Sequence, residues 1–597
     1  MSVKKISLLW LLILLLLVGC TSFSENRPGN IHLRIFETTD LHGSIFPFDF
    51  IDSAELSASL SGVYSLVSSE RDKDDREVIL LDNGDILQGQ PVVYYSNYID
   101  TGNMHICSAV MNFMGYDAAT VGNHDIEAGH SVYDKLIDEF NFPWLAANAV
   151  DTESNKSYFK PYTIISRKGL KIAVLGLITP AIPQWLPKEL WEGIYFEDMI
   201  SSAHHWVPEI LKKEEPDLLI GLFHAGYDYR YHGSDASTHG NENASLLVAQ
   251  QVPGFDIVML GHDHNPLNQF IVNNTGDSVL MLNAGSNARL LALADVLLIL
   301  NKETGKYSKR IKGELISVSD LTPDKKFDIT FREEFRAVLE YVSTPLGRLE
   351  NSISAKYAFF GNSAFVDLVH NIQLDLTKAD ISFTAPLSFN ATIPSGIIRV
   401  RDMFKLYRFE NFLYTMELTG QEIKDYLEFS YANWFNTMKN KNDHLLKFKT
   451  DSTGEPVWNN RYQSYVLDGQ YYNFDSGAGL KYTVNVSHPA GNRITIYSLD
   501  NGSEFKLSKT YKVAVNSYRG NGGGGHLTEG AGIAESDLDK RIVSSTDKDL
   551  RFYIMERIKQ QGDINPVAGD NWNVIPAEWW KEGSKRDFQL LFGSDEK

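Results

Sequence analysis

The sequence predicts a mixed α/β protein of two domains, and three observations carry that prediction. In the first half, five apolar, β-branched runs each end in side chains of the types that bind metals. Amphipathic segments of helical period, such as 131–140 and 202–212, separate those runs. The second half changes to alternating strands around a capped helix, and no metal-ligand cluster recurs in it.

At the N-terminus, Lys4 and Lys5 precede an apolar run from Ile6 to Val18. That run is too short to span a bilayer and has the layout of a secretory signal. Its end, Leu17-Val18-Gly19-Cys20, resembles a bacterial lipobox, which makes Cys20 the expected lipidation site; an ordinary signal peptide with a chance cysteine is the alternative. The expected segments are a lipoprotein signal over 1–20 and a polar tether over 21–30, which implies a cell-envelope protein anchored to a membrane without spanning it. With Cys20 acylated, Cys107 is the one remaining thiol, so no disulfide can form within the chain. The setting of Cys107, between Met104 and Met111, reads as a helix that buries it. A formal net charge of −20 over 597 residues excludes general affinity for polymeric nucleic acid. An anionic substrate would need local positive charge, for which bound metal ions are the obvious source.

The five runs come in order. Ile31 to Thr38 leads into Thr39-Asp40-Leu41-His42, and Val78 to Leu81 into Asp82-Asn83-Gly84-Asp85. Ala118 to Val121 leads into Gly122-Asn123-His124-Asp125, the stretch expected to carry the reaction, although Asn and His after a glycine can also simply cap a helix. Asp217 to Phe223 delivers His224, and Phe255 to Leu260 delivers Gly261-His262-Asp263-His264. Strand ends are where α/β sheets place their sites. Asp40, His42, Asp85, Asn123, His224, His262 and His264 form a nitrogen and oxygen set without a thiolate. Seven such ligands suit two divalent ions that share one carboxylate, of the Mn, Zn, Fe or Mg kind.

Thr39-Asp40-Leu41-His42-Gly43 and the four blocks after it resemble the motifs of the calcineurin-like metallophosphoesterases. The order and spacing are similar to the 5′-nucleotidase branch, above all to its bacterial bifunctional 2′,3′-cyclic-nucleotide 2′-phosphodiesterase/3′-nucleotidases, over nearly the whole mature chain. The resemblance implies an N-terminal β-sandwich with flanking helices, a linker helix and a C-terminal nucleotide-specificity domain. It assigns Asp40, His42, Asp85 and His264 to one metal, Asp85, Asn123, His224 and His262 to the other, and a catalytic role to His124. Several relatives orient that histidine with an Asp three residues on. Here Glu127 stands in that place, either to orient His124 or as an acid at a helix N-terminus. The polar, aromatic stretch from Tyr227 to Asn243 reads as a cleft rim or as a solvated excursion.

From Pro323 to Gly347, apolar positions at Phe327, Phe331, Phe335, Val338 and Leu339 predict one amphipathic helix ended by Pro345 and Gly347. The expected domains are therefore 31–322 and 348–597 on either side of it. In the second, Thr419-Gly420-Gln421-Glu422 is a capping box for a helix with Ile423, Leu427, Ser430 and Trp434 on one face. Strands are expected at Lys481 to Val486, Arg493 to Ser498 and Tyr511 to Val515, with a tight turn at Asn501-Gly502.

Relatives clamp the nucleobase between two aromatic rings, and the matching blocks here nominate Phe409 and Tyr518, with Asn411 beside them, for substrate binding. The glycine run 520–525 lacks a following Lys-Ser/Thr and is no P-loop; it either lets backbone approach a flat ligand or is a mobile turn. The 5′-nucleotidase block that brings an arginine to phosphate is replaced by Ala385-Pro386-Leu387-Ser388-Phe389-Asn390, as in the cyclic-phosphodiesterase branch. The expected function is two-metal hydrolysis of nucleotide phosphoesters by a monomer. Its alternatives are a 5′-nucleotidase or nucleotide-sugar hydrolase and, in another class, a surface lipoprotein that binds nucleotides without turnover.

Overall fold

A computed structural model describes residues 29–459 and 464–593; Cys20 and the leader around it lie outside the described residues. The continuous apolar character of the early strands has a structural reason. Ile31–Thr38, Glu77–Asp82, Ala118–Thr120 and Trp144–Leu145 run parallel as neighbours in a six-stranded sheet, which Leu290–Leu300 and Tyr307–Ser317 complete antiparallel at one edge. A second six-stranded sheet has Leu170–Ile178, Leu218–His224, Ile257–Leu260 and Ser278–Asn283 parallel at its centre, with antiparallel strands at both edges. Leu33, Ile79 and Ala118 of the first sheet share one core with Ile172, Ile220 and Ile257 of the second, so the sheets pack face to face. Helices cover both outer faces. Ile106–Met114 and His130–Glu139 lie over the first sheet, and Met199–Glu214 and Ser245–Gln251 over the second. Strands buried on both faces read as unbroken hydrophobic runs. Cys107 sits in the first of these helices, fully packed, and burial pushes its thiol well up.

The segment expected as one linker helix forms two. Asp324 caps Lys325–Thr330 through a bond from the Phe327 amide to Oδ1 at 2.9 Å, and Arg332–Ser343 follows after a break at Phe331. The Thr330 hydroxyl donates to the Lys326 carbonyl at 2.8 Å, back-bonding of the kind that bends a helix. Phe327, Phe331 and Val338 all pack into the core of the first domain. Pro345 and Gly347 do not merely stop the helix; they begin the strand Pro345–Leu349, which pairs with Gly396–Arg399.

The second domain is built around the five-stranded sheet that contains Ile381–Thr384, Thr510–Asn516 and Leu413–Thr419. The capping box forms: Thr419 Oγ1 accepts from the Glu422 amide at 3.2 Å and Glu422 Oε2 from the Thr419 amide at 2.7 Å. Helix Gly420–Trp434 then buries Ile423, Leu427, Ser430 and Trp434, the predicted face. The other expected strands appear as Leu480–Asn485 and Ile494–Leu499, and the turn at Gly502 closes with a bond to the Leu499 carbonyl at 3.0 Å. No helix among the described residues is long and apolar enough to cross a membrane.

A buried polar cluster joins the domains. The Arg551 guanidinium stacks 4.9 Å from the ring centre of Tyr94 and 4.1 Å from that of Phe404, and donates to the Tyr407 carbonyl at 2.9 Å. Its charge lies 3.5 Å from Glu410, which also accepts from the Tyr98 hydroxyl at 3.3 Å, while the Tyr94 hydroxyl donates to Asp549 at 3.0 Å. Removing the guanidinium leaves its buried acceptors, the Tyr407 and Arg408 carbonyls and the Glu410 carboxyl, without their donor and opens a cavity, so Arg551→Ala should lower stability by about 3–5 kcal/mol in urea unfolding. A change within ~0.5 kcal/mol would show that the cluster contributes little to stability.

Candidate metal centre and substrate cleft

The two sheets bring the ends of their parallel strands to one edge of the sandwich, and there the backbone turns abruptly. Asp40, His42, Asp85, His262 and His264 all have positive φ, between 46° and 73°. Non-glycine residues rarely adopt this conformation, and it concentrates where surrounding structure enforces it for function. Asp125 does much of the enforcing. Its carboxylate accepts from the amides of Asp85, Ile86, Leu87 and Gly122 at 2.7–3.1 Å and so ties two strand ends together. Burial, then repulsion from Asp85, pushes Asp125 up to about 7. Gly261 permits a close approach between the sheets' strand ends: a Cβ there would lie 2.2 Å from Thr39 Oγ1 and 2.7 Å from Asp40 Oδ2.

Two groups of potential ligands result, Asp40 with His42 and His264, and Asp85 with His224 and His262. Within each, the ligand atoms lie within 4.8 Å of one another. In the first, His42 Nε2 is 3.0 Å from His264 Nε2, which is 3.2 Å from Asp40 Oδ1. In the second, His224 Nε2 is 3.3 Å from Asp85 Oδ2, and Asn123 Oδ1 stands 3.1 Å from His224 Nε2 and 2.8 Å from His262 Nδ1. All seven sequence-predicted ligands are thus brought to one place.

Divalent ions fit this donor set. His42 Nδ1 donates to the Gln88 carbonyl at 3.1 Å and His224 Nδ1 to the Asn83 carbonyl at 2.6 Å, which directs each Nε2 toward carboxylates, imidazoles or the Asn123 oxygen. Acceptors facing acceptors require positive charge between them. In the protein alone the imidazoles supply it. Burial disfavours a charged His224, but Asp85 and Asp40 outweigh burial and hold it up at about 10. Asp85 is itself held well below the usual carboxylate range; burial opposes this, and His224 and His124 overcome it. His42, by contrast, is pulled down to about 3, by burial first and His264 second. Cations that bind here would displace these protons.

His124 lies beside the second group. Its amide donates to Asp85 Oδ1 at 2.8 Å, and its Nδ1 is 2.5 Å from Glu127 Oε2 on the short helix Asn123–Glu127. Burial lowers the His124 pKa, and Asp85 and Glu127 more than reverse this to about 9.

Across the cleft, Phe409 and Tyr518 are half-buried and Asn411 is buried. Phe409 meets Tyr472 edge-on at 6.0 Å. Burial, then the neighbouring Tyr518 and Tyr231, push the Tyr472 phenol up. Most of the Tyr227-to-Asn243 loop is exposed from Asp228 to His239, and it is anchored at its far end by the buried Asn241 and Asn243. The glycine run packs on Tyr518 itself, since a Cβ on Gly523 would lie 2.6 Å from that ring. Sequence reasoning passed over three residues here: Tyr472, Trp185, which stacks on His262 at 5.6 Å, and Glu242, 3.0 Å from His262 Nε2. The aromatic run at 471–474 was the one available signal. Trp185 and Glu242 sit in no motif.

Residues 33–266 match the Calcineurin-like phosphoesterase family, and residues 344–529 match the 5′-nucleotidase, C-terminal domain. The chain therefore belongs to the calcineurin-like metallophosphoesterases, in the 5′-nucleotidase family that joins these two domains, and is a metal-dependent phosphoric ester hydrolase. It is 26% identical over 615 residues to the 2′,3′-cyclic-nucleotide 2′-phosphodiesterase/3′-nucleotidase of Salmonella typhimurium, covering 92% of this chain and 90% of that protein. It is 28% identical over 606 residues to the trifunctional nucleotide phosphoesterase protein YfkN of Bacillus subtilis, and spans 39% of that longer chain. Among solved structures, a Staphylococcus aureus protein described as a candidate 5′-nucleotidase shares the fold, with a TM-score of 0.73, 20% identity and coverage of 91% of this chain and 99% of that one.

Gly122 offers a direct check on how tightly this centre is packed, because a Cβ there would lie 2.2 Å from Asp85 Oδ1 and 2.4 Å from the Asp85 amide. Gly122→Ala should displace Asp85 and weaken divalent-ion binding by about 10-fold or more, read by equilibrium dialysis. Binding equal to wild type would mean that the strand end can shift without disturbing the carboxylate.

Proposed function

We propose that this protein hydrolyses 2′,3′-cyclic nucleotides to 3′-nucleotides and these to nucleoside and phosphate, with each histidine–aspartate group holding one divalent cation. The observation that carries the reading is the pair of ligand groups at one strand-end edge, the second completed by Asn123, with His124 beside them. Cations bound there would supply Lewis-acid charge to the phosphoryl oxygens and activate water for in-line attack. Mn, Zn, Fe or Mg would each suit the nitrogen and oxygen donors.

In this reading Asp85 would help to hold both cations. Glu127 holds His124 at Nδ1 and so fixes its ring, which leaves Nε2 to stabilise or protonate the departing oxygen. In the protein without cations, Asp85 and Glu127 overcome burial and hold that imidazole up at about 9. Phe409 and Tyr518 stack on the base, and Asn411 supports that site. The choice of cyclic and 3′ substrates rests on Ala385-Pro386-Leu387-Ser388, which stands where a 5′-nucleotidase has its phosphate arginine, and on the name of the Salmonella relative. A lipid anchor at Cys20, an envelope location and a monomeric state complete the proposal.

Turnover of 2′,3′-cyclic AMP, 3′-AMP and 5′-AMP at equal concentration tests it. Preference for 5′-AMP would transfer the protein to the 5′-nucleotidase reading, and binding without product under any divalent metal would leave nucleotide capture. Asp85→Ala should lose metal and activity together. His124→Ala should keep its metals, by elemental analysis, and lose about 10²- to 10⁴-fold in turnover.

Stacking far from phosphorus would position the ester and raise turnover as well as affinity. Phe409→Ala and Tyr518→Ala should each cost roughly 5-fold to 150-fold in kcat/KM toward cyclic nucleotides, from about 1–3 kcal/mol per stacked base. Hydrolysis of bis-(p-nitrophenyl) phosphate, which has no base, should change far less. Equal losses on both substrates would make these rings supports of the fold.

A further inference from the structure

The segment from Tyr227 to Asn243 leaves the strand that ends in His224 and returns toward the metal centre with one acidic side chain in contact with a ligand histidine. Glu242 Oε1 lies 3.0 Å from His262 Nε2. A carboxylate can only accept, so the His262 proton sits on Nε2. The other ring nitrogen, Nδ1, then turns its lone pair on the Asp85–Asn123–His224 group, 2.8 Å from Asn123 Oδ1. Trp185 covers the ring face at 5.6 Å with planes 24° apart, so the imidazole is held on three sides. His42 and His224 have backbone carbonyls behind them. His262 has an anion there, which holds the ring orientation from behind.

The loop around Glu242 is fixed. The Asn241 amide nitrogen donates to the Tyr229 carbonyl at 2.8 Å and the Asp235 carbonyl at 3.2 Å, while its oxygen accepts from the Asn243 amide at 3.0 Å. Asn243 Oδ1 accepts from the Gly226 amide at 3.1 Å, and both asparagines are buried. Each neighbour of Glu242 is pinned by its own carboxamide, so the carboxylate reaches His262 without first having to order the loop.

We propose that Glu242 is a positioning residue for one of the two cation sites: it fixes the His262 tautomer that leaves Nδ1 to bind metal, and so sets the affinity of the Asp85–Asn123–His224–His262 site over that of its neighbour. This rests on the two-cation reading above. It does not make Glu242 a ligand or a catalytic residue.

The test is equilibrium dialysis of full-length, chelator-stripped protein against Mn²⁺, with thermal melting of the stripped form alongside. Wild type should bind two ions per chain. Glu242→Ala should weaken one class of site by about 10- to 100-fold, leave the other class unchanged and leave the stripped melting temperature where it was. Glu242→Gln, whose amide oxygen still accepts from Nε2–H, should recover part of the affinity and remain several-fold weaker than wild type. Wild-type affinity at both sites in Glu242→Ala overturns the inference, as does equal weakening of both sites with a lower stripped melting temperature. Should the alanine variant fail to fold, unchanged binding in Glu242→Gln overturns it and several-fold weakening of one class supports it. Wild type that binds fewer than two ions overturns the two-cation reading, and this inference with it.

Discussion

Acceptor atoms crowded around a space that needs positive charge constrain the whole first domain. Asp40, Asp85, Asn123 and four imidazoles converge from five strand ends, and each contact would be repulsive without a proton or a cation between. Holding them together takes five left-handed residues and close approaches at Gly122 and Gly261. It also takes a buried Asp125 that accepts four amides and has no place among the ligands. Such strain persists only on a rigid scaffold, which two six-stranded sheets packed on each other provide.

Two polar contacts tie the second domain to the first beside the nominated substrate residues. The segment 409–411 carries two nominated substrate residues around Glu410, which burial pushes up to about 8 although Arg551 lies beside it. On the other side of the cleft, the Asn521 amide donates to the Trp185 carbonyl at 3.4 Å, and Trp185 stacks on His262. The two nominated aromatic blocks are therefore each fastened to the first domain close to the metal groups. That arrangement suits a reaction in which base recognition and phosphate chemistry have to be in register.

The seven candidate ligands were legible because each follows an apolar run, and a parallel strand buried on both faces reads as an unbroken run whose end is plain. Cys107, the capping box at Thr419 and the turn at Gly502 were legible for the same local reasons. The linker was misjudged as one helix, because an apolar spacing of three and four survives a break at Phe331 when both pieces pack on the same core.

By itself, the sequence determined which side chains are available and on which strand ends they stand, since periodicity and residue chemistry are properties of the chain. Only the tertiary structure decided which ring nitrogens of His42, His224 and His262 face inward, and that Asp125 pins the loops. It alone placed Trp185, Glu242 and Tyr472 at the centre. Those three lie at sequence separations from their partners that no local pattern encodes; the two sheets and the domain interface bring them together, and their positions follow from packing.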